Sequence, residues 1–279
     1  MFRRGWRIAL ASALILAVSL PLNQVSASKH TLKSLKLLSR LEVRAESASN
    51  SYDRTLFRHW IDENGNKCDT RAEVLMRDTQ TPVTRSGTCT VRTGRWKSVY
   101  DNKTITVAGS LDIDHVVALK EAWESGASRW SSSERQKFAN DLGFNRSLIA
   151  VSASTNRSKS DRDPAQWLPP ATSYRCDYLV SWIQVKFRWR LSIDAAEKSV
   201  IRSGLVNCGN PKVLLPPRMS VSDNPLEPEP TPTSDGVLDP RFEYCYQAIA
   251  AGYGPYYKGV DPEYYWYRDG DKDGVVCEK

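Results

Sequence analysis

A proline-rich stretch near the C-terminus divides this chain into two units of very different size. Residues 216–238 place six prolines among serine, threonine and acidic residues, which is the composition of an extended, semi-rigid linker. Residues 52–215 before it have the composition of one globular domain. Residues 239–279 after it are too few for an unaided hydrophobic core. The sequence therefore predicts one folded domain and one small module that needs additional stabilisation.

The first 27 residues have the pattern of a secretory signal peptide. Three arginines precede the apolar run Ile8–Leu20, and small residues follow it, so we expect cleavage after Ala27. This run is shorter than the roughly 20 residues that a membrane-spanning helix needs, and no later run is longer. The mature chain is therefore predicted to be secreted, with no integral membrane segment. Residues 28–51 are predicted to form a loosely held leader or a short helix.

The cysteines predict how the exported chain is cross-linked. All six lie after the predicted cleavage point, and an even number in an exported chain favours disulfides over thiols. Sequence neighbours suggest that residue 68 pairs with 89, 176 with 208 and 245 with 277, although six cysteines allow other pairings. Zinc ligation is the rival interpretation, but the chain has no Cys-x-x-Cys or Cys-x-x-His pair.

Charge is distributed unevenly between the two units. Residues 28–215 carry 30 Lys and Arg against 20 Asp and Glu, whereas residues 216–279 carry 6 against 12. A basic body suits a polyanionic partner such as nucleic acid, and an acidic tail suits cations. An ordinary solubilising surface would give the same balance in the body. Charge alone does not decide between these explanations.

Local patterns in the larger unit predict both helices and strands, and therefore an α+β fold. Helices are predicted over 71–77, 119–124 and 134–140, and strands over 111–118 and 147–151. Residues 178–191 predict a long amphipathic helix whose aromatic side chains belong to the core rather than to a surface that stacks on nucleic-acid bases.

Two short motifs about forty residues apart carry the chemistry of the chain. Asp114 and His115 end the first strand, and Asn156 and Lys159 follow the second. Carboxylate and amide oxygens are ligands that Mg²⁺ accepts, and a histidine that titrates near neutral pH can act as a general base. Lys159 lies one helical turn after Asn156 and would share its face, where it could contact a phosphate. The competing interpretation is that Asp114 only caps a helix and His115 is an ordinary packed histidine.

Three nearby residues are given a smaller weight. Asp112 shares a strand face with Asp114 and could support it, and Glu121 could face the same place from the following helix, but surface charges are the favoured interpretation of both. His59 is predicted to pack rather than to act in catalysis.

Together, these segments resemble the HNH (ββα-metal) nucleases, and more closely the exported branch of that superfamily called DUF1524 or GmrSD C-terminal-like. The segments that carry the resemblance are 57–60, 68–71, the Asp-His pair, 138–142, 155–161 and 163–170. The resemblance implies that His115 activates the attacking water and that Asp114 and Asn156 bind one Mg²⁺ or Mn²⁺. The chain departs from the HNH signature at Ser147, where the family has an asparagine that orients the histidine. Asn145 lies two residues earlier and could take over this orienting role.

The acidic tail carries a second motif. Asp269, Asp271 and Asp273 alternate along the chain, with Glu278 shortly after them. Alternate carboxylates on a curled loop converge on one centre, as in the calcium loops of EF-hands. The string resembles the Excalibur module, which implies a Ca²⁺ site in a small module stabilised by calcium and a disulfide. The alternative is a solvated acidic terminus.

These observations predict a secreted endonuclease with a ββα-metal core and additional helices. It would hydrolyse phosphodiester bonds of DNA, with RNA open as a second substrate, and with low sequence specificity because no base-reading motif is evident. The tail would either associate with the cell envelope or only stabilise the protein. The rival is a catalytically silent, calcium-dependent protein that binds the cell envelope, which the Ser147 departure favours.

Overall fold

A computed structural model describes residues 31–47, 51–221, 240–251, 253, 256–257, 262–270 and 275–277. The predicted signal peptide, residues 1–27, and most of the predicted linker lie outside these residues.

The described residues form the mixed helix and strand architecture that the sequence predicts. The strands are β1 (Thr31–Lys33), β2 (Thr84–Ser86), β3 (Thr90–Lys97), β4 (Thr104–Val107), β5 (Leu111–His115), β6 (Leu148–Ser152), β7 (Lys212–Leu214), β8 (Tyr256–Tyr257) and β9 (Val275–Val276). The helices are α1 (Ser34–Leu38), α2 (Thr70–Asp78), α3 (Leu119–Glu124), α4 (Ser132–Ala139), α5 (Ala153–Lys159), α6 (Arg175–Arg188), α7 (Ala195–Asn207) and α8 (Cys245–Ala250). The fold is therefore α+β, with small antiparallel sheets packed among helices.

A strand–strand–helix unit lies at the centre of the larger domain. β5 pairs antiparallel with β6 without a register break, from Leu111 opposite Ser152 to His115 opposite Leu148. The chain then enters α5 directly. Because side chains alternate along a strand, Leu111 and Ile113 are buried in an apolar cluster with residues of α2. The intervening carboxylates, Asp112 and Asp114, contact α5 instead.

Helix α6 is the buried centre of the main core, which corrects the prediction of an amphipathic helix. Every residue from Tyr178 to Arg188 is buried, and its aromatic side chains belong to the core as predicted. The helix tolerates buried polar residues because they are paired. Lys186 Nζ lies 2.6 Å from a Glu121 carboxylate oxygen and 2.7 Å from one of Glu197.

Residues 31–47 contain the short helix of the prediction, α1, in a segment that is packed against the domain. β1 pairs antiparallel with β7, and α1 inserts Leu37 and Leu38 into the main core. Val43 forms an isolated parallel bridge with Ile193. The sequence pattern did not show this packing because the helix is only one turn long, so its two core leucines show no clear period.

The three disulfides pair as predicted, and described residues contain no free cysteine. Cys68–Cys89 joins the start of α2 to the β2–β3 hairpin, and Cys176–Cys208 joins the first turn of α6 to the end of α7. Asp69 caps α2 by accepting a hydrogen bond from the main-chain N–H of Ala72.

The C-terminal module has a small core of its own. Ala248, Tyr256, Tyr264 and Val276 are buried together beside Cys277, and Cys277 is bonded to Cys245. β8 and β9 pair antiparallel. Across the described part of the chain, no helix has the length and apolar character needed to cross a membrane.

Candidate active site

Asp114 is a buried carboxylate held from two sides. Its Oδ2 accepts a hydrogen bond of 2.5 Å from the hydroxyl of Tyr100, and its Oδ1 accepts one of 2.9 Å from Nζ of Lys159. Burial raises the pKa of Asp114 above its usual value, and the ammonium of Lys159 and the hydroxyl of Tyr100 oppose that rise. The pair of donors therefore favours the ionised form of a carboxylate that is only 5% exposed.

His115 is buried beside Asp114 and is oriented by a main-chain carbonyl. Its Nε2 lies 2.9 Å from the carbonyl oxygen of Ala139, the last residue of α4. A carbonyl oxygen only accepts, so this contact makes Nε2 the protonated nitrogen and leaves Nδ1 as the acceptor. Burial, opposed by the Ala139 carbonyl, lowers the pKa of His115 to about 3, so the imidazole is neutral at physiological pH.

The ring of His115 is enclosed by aromatic side chains. Phe138 stacks on it at a centroid distance of 6.4 Å, and the ring of Trp60 lies 5.7 Å away. Trp60 has a positive φ of 62°, a backbone conformation that is costly for a bulky residue. His59 contacts Trp60 and bonds the carbonyl of Phe57 through Nδ1, and its ring centroid lies 6.5 Å from that of His115.

The side chains of Asn156 and Asp112 contact each other. Nδ2 of Asn156 lies 3.3 Å from Oδ2 of Asp112, and Arg157 Nε lies 3.7 Å from the same oxygen. The amide oxygen of Asn156 thus has capacity left for a cation. Asp112 is half-buried and contacts this site, so it is not an isolated surface charge.

One cleft collects the predicted residues. It has a volume of about 430 Å³, and Asp114, His115 and Asn156 line it together with residues from 52–54, 113, 118–120, 157 and 160–161. Residues that are far apart in sequence therefore reach one solvent-connected space. The structure brings together three of the four predicted nuclease-site residues at the cleft surface.

Lys159 occupies a different position from the predicted one. It is fully buried, and its ammonium bonds Asp114 and the main-chain carbonyl of His115, each at 2.9 Å. The sequence prediction placed it on the surface of the helix beside Asn156, where it would contact a phosphate. In the structure, α5 lies against β5 so that this face of the helix is covered, and Lys159 supports the two residues of the Asp-His pair.

The side chains of Ser147 and Asn145 do not orient the histidine in this structure. Ser147 Oγ donates to Oδ2 of Asp141 at 2.7 Å, whereas Asn145 is exposed. Asp141 also accepts from Arg188 at 2.8 and 3.0 Å and from the indole N–H of Trp189 at 2.9 Å. Ser147 thus belongs to a buried network, and the orienting contact comes from the Ala139 carbonyl.

The interpretation of Glu121 as a surface charge is wrong. It is buried and pairs with Lys186 at the side of α6. Neither alternative offered by the sequence applies, because α3 turns this carboxylate toward the core rather than toward Asp114.

Sequence reasoning missed Tyr100, Ala139 and two arginines of the cleft, Arg54 and Arg157. Tyr100 leaves no motif, because it is a single aromatic in a turn. Ala139 stands in segment 138–142 of the family resemblance, but its side chain gives no sign of a contact that is made by its main-chain carbonyl. Arg157 had a signal, since it stands directly beside Asn156. Arg54 had none, because it lies about sixty residues before the Asp-His pair.

The donor chemistry of the cleft fits a hard divalent cation such as Mg²⁺ or Mn²⁺. Asp114 and Asn156 offer oxygen, and Asp112 adds a second carboxylate beside Asn156. The bonds from Tyr100 and Lys159 use one lone pair on each oxygen of Asp114, and a carboxylate oxygen has two. Acceptor capacity for a cation therefore remains.

Part of the predicted calcium loop is described. Asp269 Oδ2 accepts a hydrogen bond of 2.7 Å from the hydroxyl of Tyr264, which belongs to the core of the module. Asp271, Asp273 and Glu278 lie outside the described residues.

Comparisons with known proteins agree with this architecture. Residues 69–202 match the C-terminal domain of GmrSD restriction endonucleases, and residues 242–278 match the Excalibur calcium-binding domain. A relative from Arthroderma benhamiae, described as an uncharacterized secreted protein, is 48% identical over 172 residues, which cover 62% of this chain and 83% of the relative. No solved structure matches the chain.

The matches confirm the predicted family, and the secreted relative confirms the predicted extracellular location. A nuclease-related domain is thus joined in one chain to a calcium-binding domain. The chain belongs to the family whose members carry the C-terminal domain of the GmrSD restriction endonucleases, and it ends in an Excalibur domain.

Proposed function

We propose that this protein is a secreted HNH endonuclease that hydrolyses phosphodiester bonds of DNA, with RNA as a second substrate to be tested. The observation that supports this proposal is the shared cleft in which a neutral, carbonyl-oriented His115 lies beside the oxygen donors Asp114 and Asn156. A general base and a hard-cation site side by side are what metal-assisted phosphodiester hydrolysis requires.

In the proposed mechanism, His115 is the general base. Its Nδ1 takes a proton from the attacking water, while Nε2 keeps its hydrogen bond to the carbonyl of Ala139. The lowered pKa of His115 ensures that Nδ1 is unprotonated before the substrate arrives. A phosphate anion in the cleft then stabilises the imidazolium and raises that pKa, because an opposite charge favours the charged form. The base therefore gains proton affinity when the substrate is bound.

Asp114 and Asn156 are the proposed ligands of one Mg²⁺ or Mn²⁺. When bound, such a cation stabilises the charge on the leaving oxygen. Lys159 and Tyr100 keep Asp114 ionised and fixed in orientation. Lys159 therefore acts in this proposal as a positioning residue rather than as a phosphate contact.

Binding of the substrate is proposed to depend on backbone phosphates. The larger unit carries an excess of Lys and Arg, and phosphate contacts carry no sequence information. Low sequence specificity and a steep loss of affinity with salt are therefore expected.

The second candidate is a catalytically silent, calcium-dependent protein of the cell envelope. Two observations favour it: both oxygens of Asp114 already accept hydrogen bonds, and Ser147 replaces the asparagine of the signature. In this case the Excalibur domain would bind the cell envelope, and the nuclease-related domain would have no catalytic activity.

Cleavage of supercoiled plasmid and of a single-stranded RNA tests the proposal. The mature protein is incubated with Mg²⁺, Mn²⁺, Ca²⁺ or EDTA, beside His115→Ala and Asn156→Ala. Removing a general base lowers such rates by roughly 10²–10⁴-fold, so both variants are expected to lose nicking. Asn207→Ala, at an exposed asparagine at the end of α7, is the matched control and keeps wild-type activity.

Metal binding gives an independent measurement. Mn²⁺ titration followed by electron paramagnetic resonance should show one site that Asn156→Ala weakens, while Asn207→Ala leaves it unchanged. Calcium also binds at the Excalibur domain, so a variant truncated after residue 221 is compared in parallel. A folded wild type that cleaves neither substrate with any metal would exclude the nuclease and favour the envelope-binding protein.

A further inference from the structure

The burial of Lys159 leaves the cleft without the phosphate-binding cation that its motif suggested. Its ammonium is fully buried and is committed to Asp114 and to the carbonyl of His115. A nuclease must still hold a negatively charged backbone in place beside His115. Any cation that does so has to be one of the exposed side chains that line the cleft.

Arg157 is exposed on the α5 side of the cleft. It directly follows Asn156, and its side chain is 77% exposed. The carboxylate in its reach is that of Asp112, at an Nε to oxygen distance of 3.7 Å. This is longer than the hydrogen bonds of about 2.7–2.9 Å that a guanidinium makes to a well-aligned carboxylate. The guanidinium thus keeps its donors for an incoming anion.

Arg54 reaches the same cleft from a distant part of the chain. It opens a 3-10 turn, Arg54–Leu56, and this turn is capped by Asp53, whose carboxylate accepts from the N–H and the hydroxyl of Thr55. Arg54 is exposed and lines the same cleft as His115.

The third cation of the cleft is already neutralised. Lys120 lies 3.0 Å from a carboxylate oxygen of Asp161 and 3.7 Å from one of Glu124. Asp161 is thereby compensated by Lys120, and Asp114 is compensated by Lys159. Asp112 lies 3.7 Å from Arg157. Of the cations that line the cleft, Arg54 and Arg157 are therefore the exposed ones that remain for a ligand.

We propose that Arg54 and Arg157 form a phosphate clamp that holds the phosphodiester backbone of a nucleic acid in the cleft lined by Asp114, His115 and Asn156. This inference rests on the proposed nuclease function. Arginine suits the role because its planar group donates two parallel hydrogen bonds to a phosphate. The clamp contacts phosphates and not bases, so it binds DNA and RNA without reading sequence.

The salt dependence of binding tests the clamp. A fluorescein-labelled 20-nucleotide DNA is titrated with the full chain in EDTA at a series of NaCl concentrations, and anisotropy gives the affinity. Each lost phosphate contact lowers the slope of log affinity against log salt by about 0.7 for single strands and about 0.9 for duplexes. At 0.1 M salt, those slopes correspond to a loss of roughly five- to eightfold in affinity per arginine.

The variants are Arg54→Ala, Arg157→Ala and the double substitution, with Arg202→Ala at an exposed position of α7 as the matched control. We expect each clamp variant to lose one contact, the double variant to lose two, and the control to lose none. Arg157→Lys should keep the slope because it keeps the charge. Thermal melting monitors the folding of every variant.

The outcomes separate the clamp from the nuclease. If the wild type binds and cleaves but the slopes of both clamp variants equal the wild-type slope, the clamp is wrong and the nuclease stands. If Arg202→Ala lowers the slope as much as Arg54→Ala, binding is a property of the general surface and the clamp is again wrong. If the wild type neither binds nor cleaves the nucleic acid, the proposed nuclease function itself is wrong.

Discussion

Replacement of Lys159 by Met distinguishes the position of this residue in the structure from the one that its motif suggests. The substitution removes the ammonium that lies 2.9 Å from Oδ1 of Asp114 and leaves that carboxylate buried, with Tyr100 as its remaining donor. Removing one partner of a buried ion pair costs about 3–5 kcal/mol, because the other charge is left uncompensated. We therefore expect the free energy of unfolding to fall by about that amount.

The pH dependence of this loss has a definite sign. Burial already raises the pKa of Asp114, and Lys159 opposes that rise. Without the ammonium the pKa rises further, so the folded state binds a proton that the unfolded state has released. Stability from this group is then present at low pH and is lost as the pH rises through the raised value. Lys159→Met should be less destabilising at pH 5 than at pH 8.

Urea unfolding at both pH values, followed by tryptophan fluorescence, measures these losses. Lys137→Met, at an exposed lysine of α4, is the control for removal of a lysine charge. Adding Asp114→Asn to Lys159→Met removes the buried charge and should restore part of the stability, which a double-mutant cycle quantifies. If Lys159→Met leaves the free energy of unfolding unchanged and raises the KM for DNA, the structural argument is wrong and Lys159 contacts the substrate.

Three further predictions concern other parts of the fold. Asn140→Ala should destabilise the protein by about 2–4 kcal/mol and lower kcat. Asn140 bonds the carbonyls of Arg58 and Gln136 and the hydroxyl of Thr70, and it directly follows Ala139, whose carbonyl orients His115. Urea unfolding measures the loss of stability, and plasmid nicking measures the loss of activity. Glu46→Gln should raise the melting temperature at pH 8 and change it little at pH 5. Burial and nearby carboxylates raise the pKa of Glu46 to about 7, so stability from its protonated form is lost as the pH rises from about 4.5 through 7. Replacing Cys176 and Cys208 by serine should cost about 4 kcal/mol, from the loop entropy of their separation of 32 residues, as measured by urea unfolding.

Much of the fold was predictable from the sequence because the relevant signals are local. The alternating pattern from Leu111 and the apolar run before α5 predicted the two central strands, the first three residues too long and the second within one residue. Cysteine neighbours predicted all three disulfides. The Asp-His pair and Asn156 were singled out by their resemblance to a family motif, and the structure places them on one cleft.

The rest depended on tertiary packing, which a single sequence does not display. Lys159 has the spacing of an exposed helix position, and its burial follows from the way α5 lies on β5 with Tyr100 behind it. A lysine in that environment is tolerated only because a carboxylate meets it. In the same way, Lys186 and Glu121 are charged residues that the sequence alone would place at the surface. They are buried because α6 lies at the centre of the core, where they pair with each other.

Under the proposed function, the contacts of Ser147 explain how His115 is held without the signature asparagine. Ser147 fixes Asp141, and Asp141 holds Arg188 and Trp189 of the main core. The main chain of residues 139–141 is thereby anchored on one side by Asp141. On the other side it is anchored by Asn140, which bonds the carbonyl of Arg58 and the hydroxyl of Thr70.

The carbonyl of Ala139 lies at the start of this anchored segment, and it bonds Nε2 of His115. A main-chain carbonyl cannot change rotamer, so its precision as an orienting group depends on how firmly its own segment is held. An asparagine side chain would supply the same hydrogen bond at the cost of fixing its own rotamers. Loss of the signature asparagine therefore need not mean loss of catalysis. On this argument, Asn140→Ala should impair hydrolysis more than a substitution of exposed Asn145.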